Sequence, residues 1–246
     1  MATIAVYSLK GGVGKTTLAV NLAWSAATLS SRRTLLWDLD PQAAASFLVG
    51  GSAPARDAAQ AVFAKDVAPE KLIAATSVER LDLLAADISL RSLDRFFFAL
   101  GKRKRLARLI DDLAKTYDRI VLDCPPGLTE TSEQVMRAAD LILVPVIPSP
   151  LSRRALDEVV AHLDREHKGH APILPVFSMV DRRRALHCAA LEADAAWPSV
   201  PMASAVEQMT VRRLPLGAFA PRSPAGEAFA TLWTGVERKL ARLQTE

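Results

Sequence analysis

Cysteine is nearly absent: there are two in 246 residues, Cys124 and Cys188, far apart and in no metal-ligand spacing. A disulfide scaffold is therefore not expected, and a reducing cytoplasm is the default setting. Long apolar runs are absent too. The most apolar window, Leu141 to Leu151, contains three prolines and falls far short of the ~20 residues that span a bilayer. The N-terminal residues show no basic segment followed by an apolar stretch and a cleavage site, so a soluble, cytoplasmic protein is expected. No low-complexity stretch and no internal repeat divides the chain; Gly50–Ala55 reads as a surface loop, and one domain over residues 1–246 is expected. The excess of one sign of charge is small as well. The net +4 and pI of about 9.3 are compatible with a polyanionic partner but do not require one.

What is present is alternation. Thr3–Ser8, Thr34–Asp38, Leu81–Ala85, Arg119–Asp123, Leu141–Ile147 and Ile173–Val180 are short and apolar almost throughout, as strands covered on both faces require. Between them lie helical patterns over Thr16–Leu29, Leu93–Lys115, Ser132–Ala139, Ser152–His167, Arg183–Ala195 and Ser223–Leu243. Strand–helix alternation of this kind predicts an α/β fold: a doubly wound, mostly parallel sheet flanked by helices.

The first strand runs into Ser8-Leu9-Lys10-Gly11-Gly12-Val13-Gly14-Lys15-Thr16-Thr17, and a helix pattern follows at once. Strand, glycine-rich loop and helix in that order make a phosphate-binding loop. Glycines let backbone N–H groups turn inward around phosphate oxygens, and the helix N-terminus adds its positive dipole end. Lys15 is placed to reach β- and γ-phosphates and the Thr16 hydroxyl to ligate Mg²⁺, so ATP and Mg²⁺ are the expected ligands. The general pattern asks for glycine at position 9. Leu9 stands there instead, followed by a second lysine, Lys10.

Lys10-Gly11-Gly12-Val13-Gly14-Lys15-Thr16-Thr17 resembles the deviant Walker A motif of the ParA/MinD family of ATPases, and the resemblance implies a P-loop fold. It also implies that Lys10 reaches across a dimer interface to the partner's nucleotide, so that ATP joins two monomers face to face. Two acidic segments follow predicted strands, where open α/β sheets bind ligands. Asp38-Leu39-Asp40-Pro41-Gln42 resembles the family's switch I, which assigns the attacking water to Asp40, with Asp38 in support. Asp123-Cys124-Pro125-Pro126-Gly127 resembles a Walker B strand entering switch II, which gives Asp123 a water-mediated magnesium role. Thr16, Asp40 and Asp123 are thus the expected metal-site residues, and Lys10, Lys15 and Asp40 the catalytic ones. For the adenine base the resemblance implies Asp181 and the Val200-Pro201-Met202 loop; the isolated His187 reads as a solvent-facing helix residue.

Iron proteins of the nitrogenase type share the fold, but a cluster bridging two subunits needs two suitable cysteines from each. Cys124 and Cys188 do not supply them, and buried, inert cysteine is expected. In the last helical pattern Phe229, Leu232, Trp233, Val236, Leu240 and Leu243 form a stripe, read as core packing rather than a membrane anchor. The family resemblance further implies a slow, adaptor-stimulated ATPase with a ParB-like or other partner protein. As an ATP-bound homodimer it would bind nucleoid DNA without sequence preference and position a cargo. Arg182, Arg183, Arg212, Arg213 and Arg222 are the candidate DNA contacts, with Lys102–Arg105 as an independent second cluster. Two other readings stay open: a membrane-associated positioning ATPase of the MinD type, and a metabolic ligase of the dethiobiotin synthetase kind.

Overall fold

The computed structural model describes residues 1–50, 58–64, 66–100 and 104–245. Among them, β1 (Ala2–Val6), β2 (Thr34–Asp38), β3 (Ile73–Ala75), β4 (Leu81–Leu84), β5 (Arg119–Asp123), β6 (Leu141–Val146), β7 (Ile173–Val180) and β8 (Ser199–Pro201) form one sheet in the order β3-β4-β2-β5-β1-β6-β7-β8. Every pairing is parallel except β3 with β4.

The alternation of side chains along each strand explains why the strands lack a polar face. Ile4 and Val6 of β1, Leu36 of β2, Val121 of β5 and Leu143 of β6 point into one core layer. Ala5, Leu35, Trp37, Leu122 and Ile142 point into the other. Both layers are roofed by helices, so either residue of a pair gains by being apolar. The first layer lies under α1 (Lys15–Leu29), α2 (Ala44–Val49), α9 (Ser204–Arg212), α10 (Leu216–Phe219) and α11 (Pro224–Leu243). The second lies under α3 (Ala58–Ala64), α4 (Leu93–Leu100), α5 (Arg105–Leu113), α6 (Glu130–Ala138) and α7 (Pro150–Glu166). Helix α8 (Ala185–Ala193) follows β7.

Helix starts follow local chemistry. Thr129 and Ser132 form a reciprocal capping box at α6, and Ser149 caps α7 with Pro150 at its first position, where a missing N–H costs nothing. The single helix expected over Leu93–Lys115 is instead two, α4 and α5; Gly101, between them, is a poor helix former and lies outside the described residues. So does most of the expected Gly50–Ala55 loop, of which Gly50 closes α2 through its N–H to the Ser46 carbonyl, 2.8 Å.

The stripe on α11 is core. Phe229, Leu232, Trp233, Val236 and Leu240 are buried, Leu243 packs against them, and the Trp233 indole donates to Ser30 Oγ at 2.8 Å. No helix among the described residues is long and apolar enough to cross a membrane.

Chain order places the site. From β1 the chain moves outward to β2 on one side, and after β5 it crosses to β6 on the other. The crevice at the C-terminal end of β1 is the switch point of the sheet.

Candidate active site

The loop between β1 and α1 occupies that crevice. Gly12 and Gly14 have φ of +70° and +88°, a left-handed conformation that favours glycine. A Cβ on Gly14 would also meet Ser178 Oγ at 2.9 Å. Gly14→Ala is therefore expected to lower stability by about 1–2 kcal/mol and to weaken nucleotide binding, checked by thermal melts and a nucleotide titration. Val13 is buried and anchors the loop. Leu9, standing where the general motif has glycine, packs half-buried on the core layer of Trp37 and Leu122. Gly11 and Gly12 are exposed.

The two lysines differ. Lys15, first residue of α1, is buried, and its Nζ donates to the Lys10 carbonyl at 3.1 Å. Burial pulls its pKa down, and Asp123 and Asp40 oppose that pull. Lys10 is half-buried at the rim, its Nζ 3.4 Å from Ser152 Oγ on α7 of the same chain.

Parallel pairing of β2 and β5 sets Asp38 directly opposite Asp123, and both are fully buried. Their surroundings differ sharply. Asp38 accepts from the Ser46 N–H (2.8 Å), the Ser46 hydroxyl (2.7 Å) and the Asp40 N–H (3.1 Å). The Ser46 hydroxyl in turn accepts from the Ala86 N–H at 2.9 Å. Asp38 thus clamps the turn after β2 to α2 and to the end of β4. Among the described residues neither oxygen of Asp123 has a hydrogen bond; the Thr16 hydroxyl is near enough to favour the charged form without making a regular bond. Burial pushes Asp38 up to about 6 against the Ser46 bonds, and burial followed by the charge of Asp38 pushes Asp123 well above the carboxylate range. A buried carboxylate without a partner costs stability unless a cation meets it. The donor set of Asp123, the Thr16 hydroxyl and water fits a hard, oxygen-loving ion such as Mg²⁺.

Asp40 sits half-buried beyond this pair, with Oδ1 accepting from the Gln42 N–H at 2.9 Å; Oδ2 has no hydrogen bond among the described residues. Sequence reasoning missed two supporting groups. One is Ser46, on a helix too short to show periodicity. The other is Tyr7, whose buried hydroxyl donates to the Gly127 carbonyl at 3.0 Å and ties the loop after β5 to the loop after β1.

On the far side of the loop a cleft is lined by Gly14, Thr17, Leu18, Met179, Pro201, Met202 and Phe229, with Ser178 and Glu207 as polar groups. Its apolar walls beside the start of α1 suit a flat heterocycle. Pro201 ends β8 and Met202 follows it, and both line this cleft. Asp181 does not line this cleft. Its carboxylate is held by the Arg183 guanidinium at 2.9 and 3.0 Å, which lowers it to about 2. The reading of His187 as solvent-facing is corrected: it is buried, and its Nδ1 accepts from the Asp181 N–H at 3.0 Å. Burial lowers its pKa.

A family model described as an AAA domain matches residues 1–174. The chain is 34% identical over 145 residues to the sporulation initiation inhibitor protein Soj of Bacillus subtilis, covering 58% of this chain and 57% of Soj. It is 32% identical over 179 residues to the chromosome partitioning protein ParA of Myxococcus xanthus, covering 70% of this chain and 61% of that protein. The chain belongs to the ParA/MinD family of ATPases. The matches span under two thirds of the length of Soj and of that ParA. In fold it is similar to the cell division ATPase MinD of Pyrococcus furiosus, with TM-score 0.81 and 24% identity over 96% of this chain and 98% of that one. A cobyrinic acid a,c-diamide synthase of Mycobacterium smegmatis, solved with an ATP analogue and magnesium, is as similar: TM-score 0.81, 24% identity, 97% and 94% covered. Fold similarity alone therefore does not choose between a positioning ATPase and a ligase.

The arginines proposed from the ParA/MinD resemblance are unequal. Arg183 is engaged with Asp181. Arg213 lies over the Phe47 ring at 4.9 Å and donates to the Phe47 and Gly50 carbonyls, and Arg212 lies over Phe219 at 4.9 Å. Arg182 and Arg222 are exposed and have no ion pair among the described residues. The Lys102–Arg105 cluster needs correction. Arg105 is buried, donating to the Phe63 and Val62 carbonyls, and is no surface contact; Lys104 is exposed, and Lys102 and Arg103 lie outside the described residues. Cys124 is buried with its thiol pushed up by burial, and Cys188 donates to the Arg182 carbonyl.

Proposed function

We propose that this chain is a ParA-like ATPase that binds ATP with Mg²⁺, dimerises in that state, associates with DNA without sequence preference and positions a cargo. The observation that carries the reading is Lys10. A second lysine stands at the rim of the phosphate loop, its ammonium held, among the described residues, by a 3.4 Å contact with Ser152. A loop serving one subunit has its phosphate-binding cation in Lys15 already, so Lys10 is free to serve another.

Within one subunit, Lys15 and the N–H groups of Gly11–Thr17 bind the phosphates, while Thr16 and Asp123 hold the metal-side face. Mg²⁺ bound there would neutralise charge developing on the β- and γ-phosphates. Asp40 holds and orients the attacking water through its free oxygen. Catalysis then rests on positioning and electrostatics. Turnover is slow until an adaptor protein of the ParB kind completes the site. Pro201 and Met202 cover the base, and Asp181 orders the turn beside them. On DNA, Arg182 and Arg222 supply phosphate contacts, with Arg212 and Arg213 anchored beside them; nucleoid association follows from that contact.

Lys10→Ala is expected to bind ATP with near-normal affinity yet remain a monomer in sedimentation, whereas the parent chain dimerises with ATP. A normal ATP-dependent dimer in the variant refutes the role given to Lys10. DNA binding measured with ATP, ADP and no nucleotide should be tight only with ATP and fall steeply with salt. Equal binding in all three states refutes the positioning cycle. The ligase reading has no use for Lys10 and asks for a polar substrate pocket beside the γ-phosphate.

A further inference from the structure

Away from the nucleotide site, α6 and α7 bring one carboxylate and two imidazoles together. His162 Nε2 lies 2.5 Å from Glu133 Oε1, and His167 Nε2 lies 2.6 Å from Glu133 Oε2; the three potential ligand atoms lie within 4.8 Å of one another. Residues five apart on a regular helix point about 140° away from each other. Here α7 ends at Glu166, and His167 leaves helical geometry at φ −130° and ψ 72°, which returns its ring to the side of His162, centroids 5.8 Å apart. His167 is buried and the His162 side chain is only 14% exposed. A pocket of about 240 Å³ opens beside Glu133 and His162, walled also by Glu130, Arg137 and Glu166.

We propose that Glu133, His162 and His167 form a binding site for a divalent transition-metal ion of the Zn²⁺ class, with water from the pocket as the fourth ligand. Two imidazoles with one carboxylate select Zn²⁺, Ni²⁺ or Cu²⁺ over Mg²⁺ and Ca²⁺. In a tetrahedral Zn²⁺ site with bonds of about 2.0–2.1 Å, ligand atoms stand about 3.3 Å apart. The two hydrogen-bonded spacings must therefore open by less than 1 Å, and the two imidazole nitrogens, which lie within 4.8 Å, must close by up to about 1.5 Å, both by rotation of the side chains. One group opposes the ion: the Arg137 guanidinium, 3.6 Å from Glu133 Oε2. It is a partly exposed i,i+4 pair on α6 and can swing to solvent. The ion would cross-link α6, which follows the loop after Asp123, to α7, which carries Ser152 beside Lys10, and so brace two walls of the nucleotide site from behind.

The test uses the full chain without an affinity tag, stripped with EDTA and free of nucleotide, titrated by calorimetry with Zn²⁺ and separately with Mg²⁺. Metal content is then measured after gel filtration. About one Zn²⁺ per chain is expected, with a raised Tm, and no such binding of Mg²⁺. The double variant His162→Gln/His167→Gln keeps an amide donor for each Glu133 oxygen but loses both nitrogen ligands. It should fold as the parent does by circular dichroism and retain no Zn²⁺. Arg137→Gln should bind Zn²⁺ several-fold more tightly. Failure of the parent chain to retain Zn²⁺, or equal retention by the double variant, overturns the site.

Discussion

Asp123→Asn is expected to make the nucleotide-free protein more stable while nearly abolishing its Mg²⁺-dependent ATP hydrolysis. The two effects have one cause. Asp123 is fully buried with neither oxygen hydrogen-bonded, and it faces Asp38 across the β2–β5 ladder. Neutralising it removes the cost of a buried acid that Lys15 offsets only in part, worth about 1–3 kcal/mol, and in a chain of this size each kcal/mol moves Tm by about 2–4 °C. The sign with pH follows from the direction of the shifts. Both acids are raised in the folded state, Asp38 to about 6, so the folded protein holds protons that the unfolded chain releases above about 4. Stability from this pair is present below that value and is lost as pH rises through the raised folded-state range. The stability gap between variant and parent should therefore widen from about pH 4 upward, followed by scanning calorimetry in EDTA. Phosphate release with Mg²⁺ should fall by about 100-fold or more, as for loss of a preorganised electrostatic group. A variant that melts lower and still hydrolyses ATP at the parent rate would overturn this reading of Asp123.

How far the sequence disclosed this arrangement depends on the length scale of each signal. The strands at Thr34–Asp38, Arg119–Asp123 and Ile173–Val180 were legible to the residue because both faces of the sheet are covered, which writes burial into consecutive positions. The phosphate loop was legible because its chemistry is contiguous. Short elements were not. Helices α2 and α10 span six and four residues, too few turns for a periodic stripe, and β3 and β8 span three each. With α2 went Ser46, the residue that satisfies Asp38 and so makes Asp123 the odd acid of the pair. Nothing in Asp38-Leu39-Asp40 says which aspartate will be saturated by its neighbours; that follows from the turn after β2 folding back onto β2. His187 and Arg105 misled for a related reason. Polar residues read as surface are buried here because backbone groups lie in reach, the Asp181 N–H for His187 and the Phe63 and Val62 carbonyls for Arg105. The Glu133–His162–His167 cluster was invisible because it joins two helices and depends on α7 stopping at Glu166.

Lys15→Ala is expected to reduce nucleotide affinity by two to three orders of magnitude and with it every nucleotide-dependent property of the chain. In the free protein the ammonium has one hydrogen bond, to the Lys10 carbonyl, and lies close enough to Asp123 and Asp40 to feel their charge. Burial lowers its pKa, so the group is held partly desolvated before any phosphate arrives. Phosphate oxygens then exchange a neutral carbonyl acceptor for charged ones. Charge-assisted bonds of this kind contribute about 1.5–3 kcal/mol each, and two of them near the lower end of that range, to the β- and γ-phosphates, amount to roughly 3–4 kcal/mol, or 10²–10³ in Kd. Lys15→Arg is expected to rescue little, because the planar guanidinium is bulkier than an ammonium and the position is buried under the loop. The contrast with Lys10 is the decisive comparison. Losing Lys15 should empty the site, and losing Lys10 should leave it filled but solitary. Nucleotide titration and sedimentation on the two variants side by side measure both. If Lys15→Ala binds ATP within tenfold of the parent, the loop does not hold phosphate through that side chain. The assignment of Lys10 as the lysine serving a second subunit would then fall with it, because it rests on Lys15 already serving the first.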